Sequence, residues 1–191
     1  MHNYQFRRNF YFFLVFNEYF KINDKKSLWD GRNLHDLYEE AHTPWDWQEE
    51  IFKKAEELNI MAFSSPFDET AVDFLESINC PIYKIASFEI VHLPLIKRVA
   101  QTKKPIIIST GMASIEEIED AYNAAKDGGA KDITLLKCTS SYPADASDAD
   151  LLTISDLKSR FPDCRVGLSD HSHGIGVAVA SVAYGAEVIE K

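Results

Sequence analysis

Cysteine is scarce and unpatterned in this sequence. The three residues, Cys80, Cys138 and Cys164, are odd in number, far apart and form no C-x-x-C pair. That excludes a disulfide framework and a zinc knuckle, and it fits a reducing, cytoplasmic setting. Long apolar runs are missing too. No stretch reaches the ~18 residues that a bilayer span needs. The nearest, Phe10 to Phe16, follows Arg7 and Arg8 but runs into Asn17, Glu18 and Tyr19, where a leader peptide would carry small residues. Basic residues are outnumbered: 20 Lys and Arg stand against 30 Asp and Glu, a net charge of -10. A general nucleic-acid or anionic-membrane binder needs a basic face, so neither partner is expected. Net charge leaves a local anion pocket open.

The first twenty residues lack Gly, Pro, Ala, Ser and Thr, yet hold six of the 12 Phe. Two readings stand: an aromatic element packed on the body, or a start that does not belong to the fold. Residues 1–20 are therefore set apart from a domain over 21–191. The rest is ordinary for a globular domain, with 46% hydrophobic and 26% charged residues.

From residue 43 the chain is regular. Thr43-Pro44 opens a helix whose apolar residues Trp47, Ile51, Phe52, Ala55 and Leu58 recur at helical spacing. A short apolar run, Ile60 to Phe63, follows. Helix 68–78 leads to strand 82–86, helix 93–102 to strand 105–108, and a helix opened by the capping box Ser114 to Glu117 leads to strand 133–137. Helix 151–161 leads to strand 165–168, and helix 174–184 to strand 187–190. Short, continuously apolar strands alternating with helices predict a parallel sheet covered by helices. The fold class is α/β: a (β/α)8 barrel, incomplete, with six strand-helix alternations, or else a doubly wound sheet.

Each strand is followed by small polar residues: Ser64-Ser65-Pro66, Ser87-Phe88-Glu89, Ser109-Thr110-Gly111, Cys138-Thr139-Ser140-Ser141-Tyr142 and Ser169-Asp170-His171. In a parallel sheet these ends share one face, where barrel enzymes place their sites. One such Ser is simply a helix cap. Five ends together point to a phosphate or carboxylate site. Lys84 and Lys137 lie within strands and could aim a charge at the same mouth. His171 and His173 are a metal pair or polar loop residues. Glu89 and Glu190 sit at strand ends, where an unpaired charge is costly to bury. Gly174-Ile-Gly176 lacks the third glycine of a dinucleotide loop. Cys138, with no base beside it in sequence, reads as core.

These strand ends resemble the sialic acid synthase family. The matching motifs are Phe63-Ser-Ser-Pro-Phe-Asp68, Lys84-Ile-Ala-Ser-Phe-Glu89, Ser109-Thr-Gly-Met112, Cys138-Thr-Ser-Ser-Tyr-Pro143, Ser169-Asp-His171 and Glu187-Val-Ile-Glu-Lys191, in family order. Ala86-Ser-Phe-Glu89, Leu28-Trp-Asp-Gly31 and Thr43-Pro-Trp-Asp-Trp47 look like its pseudaminic acid branch; the neuraminate branch reads Pro-Ser-Gly-Glu at the first of these. The resemblance implies a (β/α)8 barrel that condenses phosphoenolpyruvate with an aminosugar, here a diacetamido-trideoxy-altrose, with a divalent metal (Mn or Mg) polarising the aldehyde. It implies that Lys84, Ser87, Ser109, Ser65, Ser140 and Ser169 hold phosphoenolpyruvate. Ser65 and Ser140 replace a Thr and an Asn of some relatives. Glu89, Tyr142 and Glu190 would contact the sugar or reacting centre, and His171 would bind the metal. The complete enzyme is expected to be a cytoplasmic homodimer. Family segments with a catalytic Glu, a phosphate-binding Lys, a second metal His and an antifreeze-like domain have no counterpart here. The chain is thus expected to hold about six of eight units and to be an inactive fragment. A neuraminate synthase and a non-catalytic remnant of a split gene are the alternatives.

Overall fold

The computed structural model describes residues 20–25 and 27–191. The atypical segment over residues 1–20 lies, but for its last residue, outside the described residues. The chain divides into two compact units, Met1–Glu50 and Ile51–Lys191. In the first, helix α1 (Leu34–Ala41) is capped by Asn33, whose side chain accepts from the His35 amide at 2.8 Å. Helix α2 (Trp45–Glu57) runs on across the division.

The second unit is a repeating strand-helix layout. Its order is α3 (Glu69–Ser77), β1 (Tyr83–Ile85), α4 (Leu93–Gln101), β2 (Ile106–Ser109), α5 (Ile115–Gly128), β3 (Ile133–Cys138), α6 (Leu152–Arg160), β4 (Arg165–Ser169), α7 (Gly176–Ala183) and β5 (Val188–Glu190). The five strands pair in parallel and in sequence order, β1-β2-β3-β4-β5. Local chemistry places the helix starts. Asp68 accepts from the Ala71 amide at 2.8 Å to open α3. Ser114 and Glu117 form the expected capping box of α5, which closes at Gly129 with φ 94°. Only a residue free of Cβ strain takes that dihedral readily.

The strands sort their side chains by alternation. Tyr83, Ile85, Ile106, Ile108, Ile133, Leu135, Val166 and Leu168 are buried in one cluster with Val72, Leu95, Val99, Ala121, Ile154 and Leu157 from the helices. The opposite face carries Lys84, Ser109, Thr134, Leu136, Cys138, Gly167 and Ser169, all buried. This second face is the inside of a curl. Flat, the outer strands of a five-stranded sheet stand about 19 Å apart, at ~4.8 Å per neighbour. Yet Lys84 on β1 and Glu190 on β5 meet with Nζ 3.6 Å from Oε2. No pair of side chains spans a flat sheet so closely, so the sheet is a half-barrel with its inner face concave.

One expected strand does not form. The Ile60 to Phe63 run makes no strand; among the described residues the chain pairs there only through a single parallel bridge, Ser64 with Tyr83, in which the Lys84 amide donates to the Ser64 carbonyl at 3.1 Å. Ile60 and Met61 are 62% and 65% exposed. Apolar composition makes a strand only where cross-strand and same-face neighbours are there to pack on, and Ile60 and Met61 find few.

Candidate active site

The C-terminal ends of the strands hold the polar residues that sequence reasoning singled out. Lys84 is the centre. It is 6% exposed, and its ammonium donates to Ser109 Oγ at 2.7 Å and to the Ile85 carbonyl at 3.2 Å. Burial pushes its pKa down, and Glu190 beside it pulls the other way. Ser109 and Ser169 are buried on the same inner face. Ser87 opens a 3-10 turn, Ser87–Glu89, directly after β1. It meets Ser140 around Gly111: a Cβ added to that glycine would collide with Ser140 Oγ and lie 2.9 Å from Ser87 Oγ. Gly111 is therefore what lets hydroxyls from the β1 and β3 ends approach the β2 loop.

Glu89 is half-buried, and its Oε2 is fully buried without a hydrogen-bond partner. Burial pushes its carboxyl pKa up, while Lys84 and His92 lower it. Tyr142 is 69% exposed and packs on His171 with ring centroids 4.3 Å apart and the planes tilted by 48°. Burial of the phenol, then Cys138 and Glu190, raise its pKa. His171 is held by its Nδ1, 3.2 Å from the Thr139 carbonyl. A carbonyl only accepts, so Nδ1 is the donor in this contact. Ser65 is half-buried beside the Ser64 bridge.

The family model described as "NeuB family" matches residues 10–191. The chain belongs to the NeuB family. It is 47% identical over 165 residues to the pseudaminic acid synthase of Helicobacter pylori, covering 86% of this chain and 48% of that protein. It is 46% identical over 144 residues to the N,N'-diacetyllegionaminic acid synthase of Campylobacter jejuni, covering 74% of this chain and 43% of that protein. Among solved structures, the N-acetylneuraminic acid synthetase of Leptospira borgpetersenii in complex with citrate superimposes with a TM-score of 0.78 at 36% identity, over 82% of this chain and 54% of that one. The chain spans about half the length of the curated relatives it matches.

Three residues of this NeuB-family chain take places that sequence reasoning did not give them. Lys137 does not share the mouth with Lys84. It lies on the opposite face of β3 from Cys138, with Nζ donating to Thr139 Oγ1 at 2.5 Å and to the Asp148 carbonyl at 3.2 Å. Cys138 is buried as expected, but at the site: Sγ is 3.7 Å from Ser140 Oγ and 3.9 Å from His171 Nδ1. Asp170 is the third. Its Oδ1 accepts from the Ser172 amide and hydroxyl at 2.9 and 2.7 Å, and its Oδ2 accepts from Lys191 Nζ at 2.8 Å. Burial pushes its carboxyl up, but Lys191 and Ser172 outweigh that and hold it below the usual range. The Asp170 amide also donates to the Glu190 carbonyl at 2.8 Å. The ends of β4 and β5, and so His171 and Glu190, are fixed against each other. The carboxylate inside Ser169-Asp-His171 was the available signal.

A divalent metal is not accommodated by these residues alone. Among the described residues, no three His, Cys, Asp or Glu side chains converge on one point. His171 offers a single donor, and His173 is exposed. No helix among the described residues is long and apolar enough to cross a membrane.

Glu89 gives a pH-dependent stability. Its folded-state pKa lies above the ordinary carboxylate value, so the folded chain binds a proton that the unfolded chain has already lost. Stability from this group is therefore present below the ordinary value and lost as pH rises through the raised one. Glu89→Gln removes the charge at all pH values. Gln leaves a polar atom in the same place but no charge, and burying an unpartnered charge costs more than burying a neutral group, by about 1 kcal/mol, so the variant should melt about 2–4 °C higher at pH 8. Well below the ordinary carboxylate range, where Glu89 is protonated in the folded and the unfolded chain alike, the melting temperatures should agree. Equal shifts at both pH values would show that burial of the carboxylate is not the cause.

Proposed function

We propose that this chain carries the phosphoenolpyruvate-binding face of a nonulosonic acid synthase of the pseudaminic acid type. The reaction joins phosphoenolpyruvate to a diacetamido-trideoxy-altrose. The enol carbon attacks the aldehyde carbon, water adds to the resulting cation, and phosphate leaves with its C–O bond. The observation that carries this reading is the Lys84 ammonium, buried on the concave face with Ser109 at 2.7 Å. A buried cation flanked by hydroxyls suits a phosphate group, to which it donates charge-assisted hydrogen bonds.

In this reading Lys84, Ser87, Ser109, Ser140 and Ser169 hold the phosphate and carboxylate, with Ser65 at the rim. Glu89, with an unpartnered oxygen and a raised pKa, is suited to give the aldehyde oxygen its proton. Tyr142 and Glu190 face the sugar. His171 is the imidazole offered to a metal, with its Nδ1 turned to the Thr139 carbonyl, and no step is assigned to that metal. The pseudaminic type is favoured over the legionaminic type because similarity to the former extends over 86% of this chain and to the latter over 74%. Three free thiols agree with a cytoplasmic setting.

Calorimetric titration of phosphoenolpyruvate into the chain tests this. Saturable one-to-one binding that inorganic phosphate competes for is expected. The same mixture with the aminosugar should release no phosphate, because one imidazole holds a divalent metal too loosely to polarise an aldehyde. A folded chain that fails to bind phosphoenolpyruvate would reject the reading.

A further inference from the structure

Glu190 stands where an incoming anion would have to go. Its carboxylate lies 3.6 Å from the Lys84 ammonium, and their side chains are 41% and 8% exposed. The cation is locked in place, while the carboxylate has solvent into which to turn. Its backbone does not move with it. Ser169 pairs with Glu190 in the ladder, the Asp170 amide holds its carbonyl at 2.8 Å, and Lys191 is anchored to Asp170 and Ser172 at 2.8 and 2.7 Å. Glu190 is thus a carboxylate on a short, fixed tether beside the one ammonium found on the concave face among the described residues.

We propose that Glu190 sets the ligand threshold of the Lys84 site: it is a built-in competing anion that a ligand must displace, so the site admits a phosphate dianion and turns away a monocarboxylate. The proposal rests on the assignment of Lys84 to anion binding. A tethered group competes at a high effective concentration, because its encounter with Lys84 is intramolecular. Displacement carries the same penalty whichever anion enters. A monocarboxylate exchanges one carboxylate for another and gains nothing to offset that penalty. A phosphate dianion brings twice the charge and more acceptor oxygens, which Lys84, Ser109 and the hydroxyls around Gly111 can meet. Discrimination by a penalty built against the wrong ligand is an ordinary route to specificity.

The test uses the chain with inorganic phosphate, phosphoenolpyruvate and acetate at pH 8, read by calorimetry. The wild-type chain should bind phosphate and phosphoenolpyruvate measurably and acetate not at all in the millimolar range. Glu190→Gln keeps the shape and removes the charge. It should tighten phosphate by on the order of ten-fold and bring acetate into the measurable range. Lys84→Met/Glu190→Gln should bind none of them, placing the gain at Lys84. Should Glu190→Gln lose its far-UV circular dichroism, Glu190→Asp decides instead: the retracted carboxylate should tighten phosphate by a smaller factor. Phosphate affinity that is unchanged or weaker in a folded variant, or wild-type acetate binding equal to phosphate, overturns the proposal. Phosphate binding tightened by Glu190→Gln without any phosphoenolpyruvate binding leaves it standing and rejects the synthase reading.

Discussion

Lys84→Ala is expected to weaken phosphoenolpyruvate binding by about 100-fold, which corresponds to loss of one or two charge-assisted hydrogen bonds. The ammonium donates to Ser109 and faces Glu190, so its loss removes the positive charge and leaves a carboxylate facing any anion that enters. Both effects act in the same direction. Binding of the aminosugar should change far less, since a neutral ligand does not feel the lost charge. The fold should survive. A buried cation is itself penalised by desolvation, and the partner it leaves behind, Glu190, is 41% exposed and can turn to water, so no buried charge is stranded. Lys84→Met is therefore the companion variant: it fills the space Ala would leave and should lose binding without lowering the melting temperature. Calorimetry of both variants against phosphoenolpyruvate, with a thermal melt of each, checks this. Unchanged affinity in folded Lys84→Met would remove Lys84 from the site.

Much of this arrangement was legible in the sequence, and the exceptions share a cause. The apolar runs at 82–86, 105–108, 133–137, 165–168 and 187–190 read as parallel strands and formed them. The caps at Asp68 and Ser114 read as helix starts and formed them. Both signals are local. The run at 60–63 failed because a strand is decided by its neighbours, and only Tyr83 pairs with its end. Lys137 went to the wrong face in the sequence reading because β3 is buried at all six positions. A strand covered on both sides shows no alternation, so nothing in its composition says which residues look inward. Cys138 and Asp170 were missed for another reason. Their partners His171 and Lys191 are 33 and 21 residues away, and only the parallel pairing of β3 with β4 and of β4 with β5 brings them together. The half-barrel also explains why a family resemblance in sequence carries to a TM-score of 0.78 with a solved relative: the strand ends that make the motifs are the same residues that the sheet's register aligns.

The largest loss of stability is expected from Gly167→Ala. Gly167 lies mid-strand in β4 on the concave face, paired with Val188 of β5. A Cβ there would run into the Val188 carbonyl oxygen and come within 2.8 Å of Leu136 Cδ2 and 2.9 Å of the Val188 carbonyl carbon. Leu136 is fully buried and has no room to withdraw. The strand backbone cannot shift without breaking its ladder to β4. Overpacking a core typically costs 1–3 kcal/mol, and a collision with backbone belongs at or above the upper end. At about 2–4 °C per kcal/mol for a chain of this size, the melting temperature should fall by roughly 6–12 °C. Gly176→Ala is the control. It sits at the start of α7, where an added Cβ meets nothing within 4 Å, so it should leave the melting temperature unchanged or raise it slightly through helix propensity. The two variants add the same methyl group, so the difference between them measures the closeness of β5 to β4. A melting temperature within a degree of the control would mean that β5 does not approach β4 this closely.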